Sequence, residues 1–491
     1  MNKKLFYLLS ILVIAALFTG CATNDAANND MAGNDNTANA GDNAAEDTSD
    51  NTADDGGEEA ATFEYPFKNP DTYVYVTFGE PESMDPHWTY ETSGSGFQNN
   101  IYESLIWFER ERTDKFVPIL ATSWEANDAG DVWTFTIREG VTFHEGGTLE
   151  PHDVAYSMQR ALLQDRIDGP HWMTHEVFFG TYAIADSLPA GSVADSTPEE
   201  LVAACELVKG AAVADDDAGT VTFTLASPAP WFMAILANNF AGNVLDQEWM
   251  AANGGWDGDC ATWQDFNDPA AEESILFNAA NGTGPYVFDH WTPGEEIVLT
   301  ANENYWRADD DPIWEGGPAG VASIKRFVAL FVDEWGTRLA MLEAGDADYV
   351  TVPAQFNSQV EPFYGEITCA DADHKSCVDV AADGWIQAFV GIQRPAMTPA
   401  QFNQAINSEG GNVFQGSGAL DGNGITDDFF TDIHIRRAFS YCFDYDTVIA
   451  EALDGEGAQA QGPIIADMLG YRDDGYVFSY DPDKCIEEFQ A

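Results

Sequence analysis

The chain has 491 residues, 83 of them acidic against 20 lysines and arginines, a formal charge of −63. With 45% hydrophobic and 13% aromatic residues it can bury a large core, and its length exceeds one compact unit, so two or three globular domains are expected. The charge excludes nucleic acid and anionic lipid headgroups as partners, because both require basic surface to displace counterions.

The chain opens with Lys3 and Lys4, an apolar run from Leu5 to Phe18, and then Thr19-Gly20-Cys21. A charged start, a short apolar stretch and small residues describe an export signal over residues 1–20, too short for a spanning helix of about 20 apolar residues. Cys21 after "LFTG" resembles a bacterial lipobox, in which the cysteine is lipidated; Phe18 stands where leucine is usual. Residues 22–62 are almost wholly Ala, Asn, Asp, Gly, Thr and Glu, with 11 acids and no base. Such a stretch cannot bury enough apolar area to offset its ordering entropy. Residues 21–62 therefore read as a lipidated cysteine and a disordered acidic tether, reaching roughly 35–40 Å as a flexible coil.

Without leader and tether, 72 acids and 18 bases remain, a charge of −54. Such a surface stays soluble in salty surroundings, where its self-repulsion is screened; steering of cationic ligands is the alternative. Apart from Cys21, six cysteines allow up to three disulfides in an oxidising compartment, with connectivity open. Cys369 and Cys377 are close enough to suggest a local loop. No cysteine or histidine spacing resembles a zinc site.

"TYVYVTFG" (72–79) alternates as a strand does and stops at Gly79. "PESMDPHWTY" reads as a turn, and apolar spacing through Phe97, Ile101, Leu105 and Ile106 predicts a helix. "VWTFTIREGVTF" and "GTVTFTLA" read as strands. Between them, "VTFHEGGTLEPHDVAYSMQRA" (141–161) crowds His144, Glu145, Glu150, His152 and Asp153 together. A zincin helix needs its histidines at i and i+4, and these are eight apart across Gly-Gly. A helix starting at Pro151 with Glu150 as N-cap fits better. "EEIVLTAN" and "IKRFVALFV" are further strands, "WGTRLAMLEAG" a helix stopped by Gly345, and "IHIRRAFSYCFDYDTVIAEAL" a long helix. Alternating strands and helices predict an α/β fold with mixed sheets.

"TFGEPESMDPHW", "IYESLIWF", the run "FVPILATSWEANDAGDVWTFTIREGVTFHEGGTLEPHDVAYSMQRAL", "NGTGPYVFDHWTPGEEIVLTANENYW", "RLAMLEAGDADYV" and "IRRAFSYCFDYDTVI" follow one another as in the large extracellular solute-binding proteins of family 5. These are the oligopeptide-, dipeptide- and nickel-binding components of ABC importers, and the resemblance runs from about Tyr73 to the last residue.

The resemblance implies a two-lobed periplasmic-binding-protein-like fold of type II, the large three-subdomain variety. Lobe I would span 63–285 with an inserted subdomain at about 111–245, and a hinge at Gly282, Gly284 and Pro285 would lead into a partial lobe II over 286–491. It implies no catalysis and no cofactor. The partners would be a peptide or similar solute, an ABC permease, and the membrane through the N-terminal lipid, on the outer face of the cell membrane or in the periplasm. Glu80 lies where relatives bring backbone near the ligand. Arg166, His171 and Trp172 lie in a segment that approaches the cleft in relatives, and Trp231, Phe240 and Trp385 would supply apolar walls. Relatives continue beyond "SYDPDKCIEEFQA", so a truncated chain with an incomplete second lobe is expected. Two other readings are a secreted glycan hydrolase, from 14 tryptophans and abundant carboxylates, and a metal or metal-chelate binder using His144, His152, His171 or His175.

Overall fold

The computed structural model describes residues 68–360, apart from 111 and 316, and 429–491, apart from 453–456, 463, 465–469 and 473. Cys21, Cys369, Cys377 and Trp385 lie outside the described residues.

Strand β1 (Thr72–Thr77) enters a five-stranded sheet one place in from its edge, and helix α1 (Thr92–Ile101) follows it. β2 (Ile106–Glu109) and β3 (Arg112–Pro118) form a hairpin, and β4 (Ala121–Ala126) and β5 (Val132–Ile137) begin a second sheet. Helices α2 (Pro151–Gln164), α3 (Trp172–Phe179) and α4 (Pro198–Ala211) come next, and β6 (Ala212–Asp215) and β7 (Thr220–Thr224) complete the four-stranded antiparallel sheet β4-β5-β7-β6. β8 (Tyr286–Thr292), β9 (Glu296–Ala301) and β10 (Arg326–Phe331) return to the first sheet, followed by α5 (Trp335–Ala344) and β11 (Tyr349–Val350). Its order is β11-β1-β10-β9-β8, with β1 parallel to both β10 and β11. α6 (Ile433–Cys442) and α7 (Pro482–Gln490) pack on each other near the end of the chain.

The parallel pairing of β1 with β10 aligns Thr72 with Arg326 and Thr77 with Phe331. Everything from α1 to β9 is therefore threaded between two neighbouring strands. β1, placed in lobe I, shares one sheet with β8 to β11, placed in lobe II, and one core joins Leu276 and Ala280 to Ile297 and Ala329.

Gly282 and Gly284 are needed for close packing rather than for left-handed backbone. A Cβ at Gly282 would collide with the Ile101 carbonyl oxygen, and one at Gly284 would stand 2.6 Å from that of Asn100. The segment is clamped: Gly284 N–H donates to Ile101 O at 2.9 Å, and His144 N–H donates to Gly282 O at 2.9 Å.

The helix predicted through Ile106 stops at Ile101. Leu105 and Ile106 turn out to serve an extended chain, in which Leu105 O accepts from Ile119 N–H and Ala121 N–H and Ile106 pairs with Pro118. Short apolar spacing fits either element until its partner is known. The long helix predicted from Ile433 breaks after Cys442, where Asp444 caps a fresh turn by accepting from Thr447 N–H at 3.1 Å. α2 starts at Pro151 with Glu150 as N-cap, and the Asp153 carboxylate accepts the Glu150 N–H at 2.9 Å.

Two disulfides lie among the described residues. Cys205–Cys260 ties α4 to the segment before Trp263, and Cys442–Cys485 ties α6 to α7, with Cα–Cα separations of 5.4 and 5.2 Å.

Candidate functional site

The turn after β1 is held from beneath by charge. Asp85 and Arg160 are both buried, and the two guanidinium Nη atoms meet the two carboxylate oxygens at 3.0 and 2.6 Å. Gln164 Nε2 and Ser274 Oγ donate to Asp85 Oδ2 at 3.0 and 2.6 Å, and the His87 N–H donates to Oδ1 at 3.0 Å. Burial raises the Asp85 pKa, but the charge and hydrogen bonds of Arg160 outweigh it and hold the carboxyl well below its usual range. Two polar residues one turn apart on α2, Arg160 and Gln164, thus face inward and anchor the turn Ser83–Thr89.

Three histidines staple neighbouring segments. His171 Nε2 donates to His87 O at 2.9 Å, His175 Nε2 to Leu162 O at 2.9 Å, and His144 Nε2 to Gly284 O at 2.9 Å. Burial, seconded by the neighbouring His175, pushes His171 down to about 3; burial pushes His175 down to about 4 and lowers His144 as well. All three rings are neutral at pH 7, and a neutral imidazole with Nε2–H is a donor suited to a carbonyl. His171, a candidate ligand contact by sequence, also has Nδ1 against Thr174 Oγ1 at 3.3 Å, so both nitrogens have protein partners.

Above this layer the surface is aromatic. Trp88 is buried and donates its indole N–H to Pro269 O at 2.9 Å. Arg166 lies 4.1 Å over its ring and donates to Trp88 O at 3.0 Å. Two residues on, Tyr90 is 40% exposed, its ring edge-on to Phe240 at 5.3 Å, and Trp172, 42% exposed, reaches its hydroxyl at 3.4 Å. Tyr90 therefore brings together Trp172 and Phe240, with Arg166 held on the adjoining Trp88. Sequence reasoning treated Tyr90 as turn. The available signal was an aromatic pair, Trp88 and Tyr90, directly after the charged anchor Asp85.

Glu80 Oε2 accepts from Trp291 Nε1 at 3.0 Å and from Gly294 N–H at 2.9 Å, docking the β8–β9 hairpin onto the turn after β1. Trp231 is 53% exposed just before the short helix Phe232–Leu236.

Metal-ligand spacing occurs at His152, whose Nδ1 lies 3.1 Å from Asp216 and Nε2 3.0 Å from Glu248, with Glu150 and Asp153 alongside. Among the described residues His144, His171 and His175 join no such group. Desolvation lowers the His152 pKa, yet Asp153, Glu248 and Asp216 together raise it above the ordinary value.

The mixed α/β scaffold, with an aromatic surface on a rigid polar support, matches the two-lobed periplasmic binding proteins. The fold superposes with a TM-score of 0.53 on the periplasmic binding protein DppA of Helicobacter pylori in complex with the peptide STSA, at 19% identity over 85% of this chain and 65% of that one. It also superposes at 0.53 on the oligopeptide-binding protein AppA of Bacillus subtilis in complex with a nonapeptide, at 18% identity over 85% and 63%. Residues 115–491 match the family described as bacterial extracellular solute-binding proteins, family 5 Middle, and the chain belongs to that family. Among its relatives are heme-binding protein A of Haemophilus influenzae, 25% identical over 420 residues, and the dipeptide-binding protein of Escherichia coli K12, 23% identical over 424. The chain spans 60% and 62% of the lengths of these two, while 84% of it is covered by each.

Proposed function

We propose that the protein captures short peptides or a similar solute and delivers them to the permease of an ABC importer, without chemistry and without a cofactor. The observation that carries this reading is the half-exposed cluster Tyr90, Trp172 and Phe240, held on the buried Asp85–Arg160 anchor, in a chain of a solute-binding family. Aromatic faces on a rigid support take apolar side chains and stack on peptide planes at low entropic cost. Arg166, fixed over Trp88, supplies a positive group beside them in an otherwise acidic surface. Family membership favours this reading over glycan hydrolysis.

Export is part of the proposal. Two disulfides, at Cys205–Cys260 and Cys442–Cys485, suit an oxidising compartment. The charged and apolar start, with Cys21 and the acidic stretch 22–62, suits a lipid tether on the outer face of the membrane.

The test is a thermal-shift and calorimetric screen of the full chain against a di- and tripeptide library, with heme, nickel–histidine and oligosaccharides as competing classes. A cognate peptide at 100 times its Kd should stabilise the fold by about 2.7 kcal/mol. A shift produced by heme, nickel–histidine or a glycan, with none from any peptide, overturns the peptide reading.

A further inference from the structure

A second cavity of about 570 Å³ opens at the opposite end of α1 from Tyr90. Its walls include Asn100 at the end of α1, Trp107 of β2, Tyr286 of β8, and Ile313 and Trp314 from the loop between β9 and β10. That volume falls within the range of small-molecule sites, roughly 300–1,000 Å³.

The polar lining is unusual. Arg307, 3% exposed, forms part of the wall, and its Nε and Nη2 make no hydrogen bond among the described residues. Nη1 is engaged by the Asp311 carbonyl at 3.2 Å and its carboxylate at 3.4 Å, and the guanidinium also interacts with the Tyr305 hydroxyl. The neighbouring carboxylate, Glu103, is already taken by Thr283 Oγ1, Tyr305 OH and Trp306 Nε1, at 2.8, 2.7 and 2.7 Å. Asn243, 2% exposed and in the same wall, likewise leaves Nδ2 without a partner among the described residues. Leaving a buried charged donor unpaired costs more than the typical 1–3 kcal/mol of a neutral one. The Nε–Nη2 edge is also the one that grips a carboxylate through two parallel bonds.

In a chain of charge −63, the Nε–Nη2 edge of this guanidinium carries no hydrogen-bonded carboxylate among the described residues. Arg138 and Arg307 both lie over the Trp306 ring, at 4.9 and 4.5 Å, with Glu103 and Asp311 as the nearby carboxylates. We infer that this cavity is a second binding site, for a small carboxylate with an apolar or aromatic body, its acid group on the Nε–Nη2 edge of Arg307 and its body against Trp107, Ile313 and Trp314. It does not depend on what the Tyr90 surface binds.

The test is calorimetric titration of the full chain with 3-phenylpropionate and with its neutral counterpart 3-phenylpropan-1-ol. The acid is expected to bind with a Kd below about 1 mM and the alcohol at least about tenfold more weakly, the loss of one charged pairing. Arg307→Lys keeps the charge but removes the fork, and Ala319→Phe fills the cavity; each is expected to weaken the acid by about tenfold or more. If Arg307→Lys does not fold, the Ala319→Phe titration decides. Equal binding of acid and alcohol, no binding of the acid up to about 10 mM, or undiminished binding in Ala319→Phe would each overturn the assignment. A peptide found in the screen described above should leave the acid titration unchanged, so the two readings fail separately.

Discussion

Arg160 closes both terminal nitrogens on the two oxygens of Asp85, at 3.0 and 2.6 Å, where Asp85 is fully buried and Arg160 nearly so. The pair joins the middle of α2 to the turn after β1, 75 residues earlier, and so sets where Trp88 and Tyr90 stand.

Removing one partner strands the other. Asp85→Ala is expected to destabilise the fold by about 3–5 kcal/mol, the usual consequence of leaving a buried charge alone. Urea denaturation of Asp85→Ala, Arg160→Met and the double variant measures it. A double variant no more stable than the sum of the two single losses would show that the pair is not coupled.

The neutral histidines make the fold acid-sensitive. Burial depresses His171 to about 3 and His175 to about 4, below the unfolded value near 6.5. On lowering the pH the unfolded chain takes up these protons first. Their contribution is therefore complete above pH 6.5 and declines as the pH falls toward the folded values. His175→Gln retains a donor for Leu162 O without an ionisable ring, so its stability between pH 6.5 and 4.5 should fall less steeply than that of the parent. Parallel slopes in denaturant midpoints would contradict this.

The aromatic surface should matter to ligand and little to folding. Trp172 and Tyr90 are each about two-fifths exposed, so Trp172→Ala and Tyr90→Ala should leave the melting temperature within a few degrees while weakening the best peptide about tenfold, near 1.4 kcal/mol. Calorimetry on folded variants checks it, and unchanged affinity in both would move the site elsewhere.

The two kinds of glycine in this chain should respond differently. Gly79 has φ of +74° and open space around its Cβ position, so Gly79→Ala should cost about 1 kcal/mol for left-handed backbone alone. Gly282→Ala must push back the end of α1, and a loss of 3 kcal/mol or more is expected from that overpacking. Denaturation midpoints of the two variants rank them.

The Cys205–Cys260 bridge closes a loop of 55 residues. Cys205→Ser with Cys260→Ser should lose about 2–5 kcal/mol. Reduction of the parent with a thiol under mild denaturant should reproduce most of that loss.

Much of the fold was readable because its signals are local. β1, β5, β7, β9 and β10 alternate or run with β-branched residues, α2 begins at its proline, and α5 stops at Gly345, whose φ is +68°. The readings that failed involved partners far along the chain. Leu105 and Ile106 suit a helix until Ile119 and Pro118 claim them as strand. Of the candidate residues, the structure brings Trp172, Phe240 and Arg166 together around Trp88 and Tyr90, and places His171 as a buried staple and Glu80 as a hairpin anchor.

By itself the sequence determined the class of protein, through six ordered motifs, and most strands, because alternation and turn residues act over a few neighbours. Only the tertiary structure decided which polar side chains of α2 point inward, which histidines are neutral, that β1 lies beside β10, and that Arg307 keeps a free edge in a cavity. Burial and pairing depend on groups brought together from 75 to more than 250 residues apart, and no periodicity along the chain records which of them will meet.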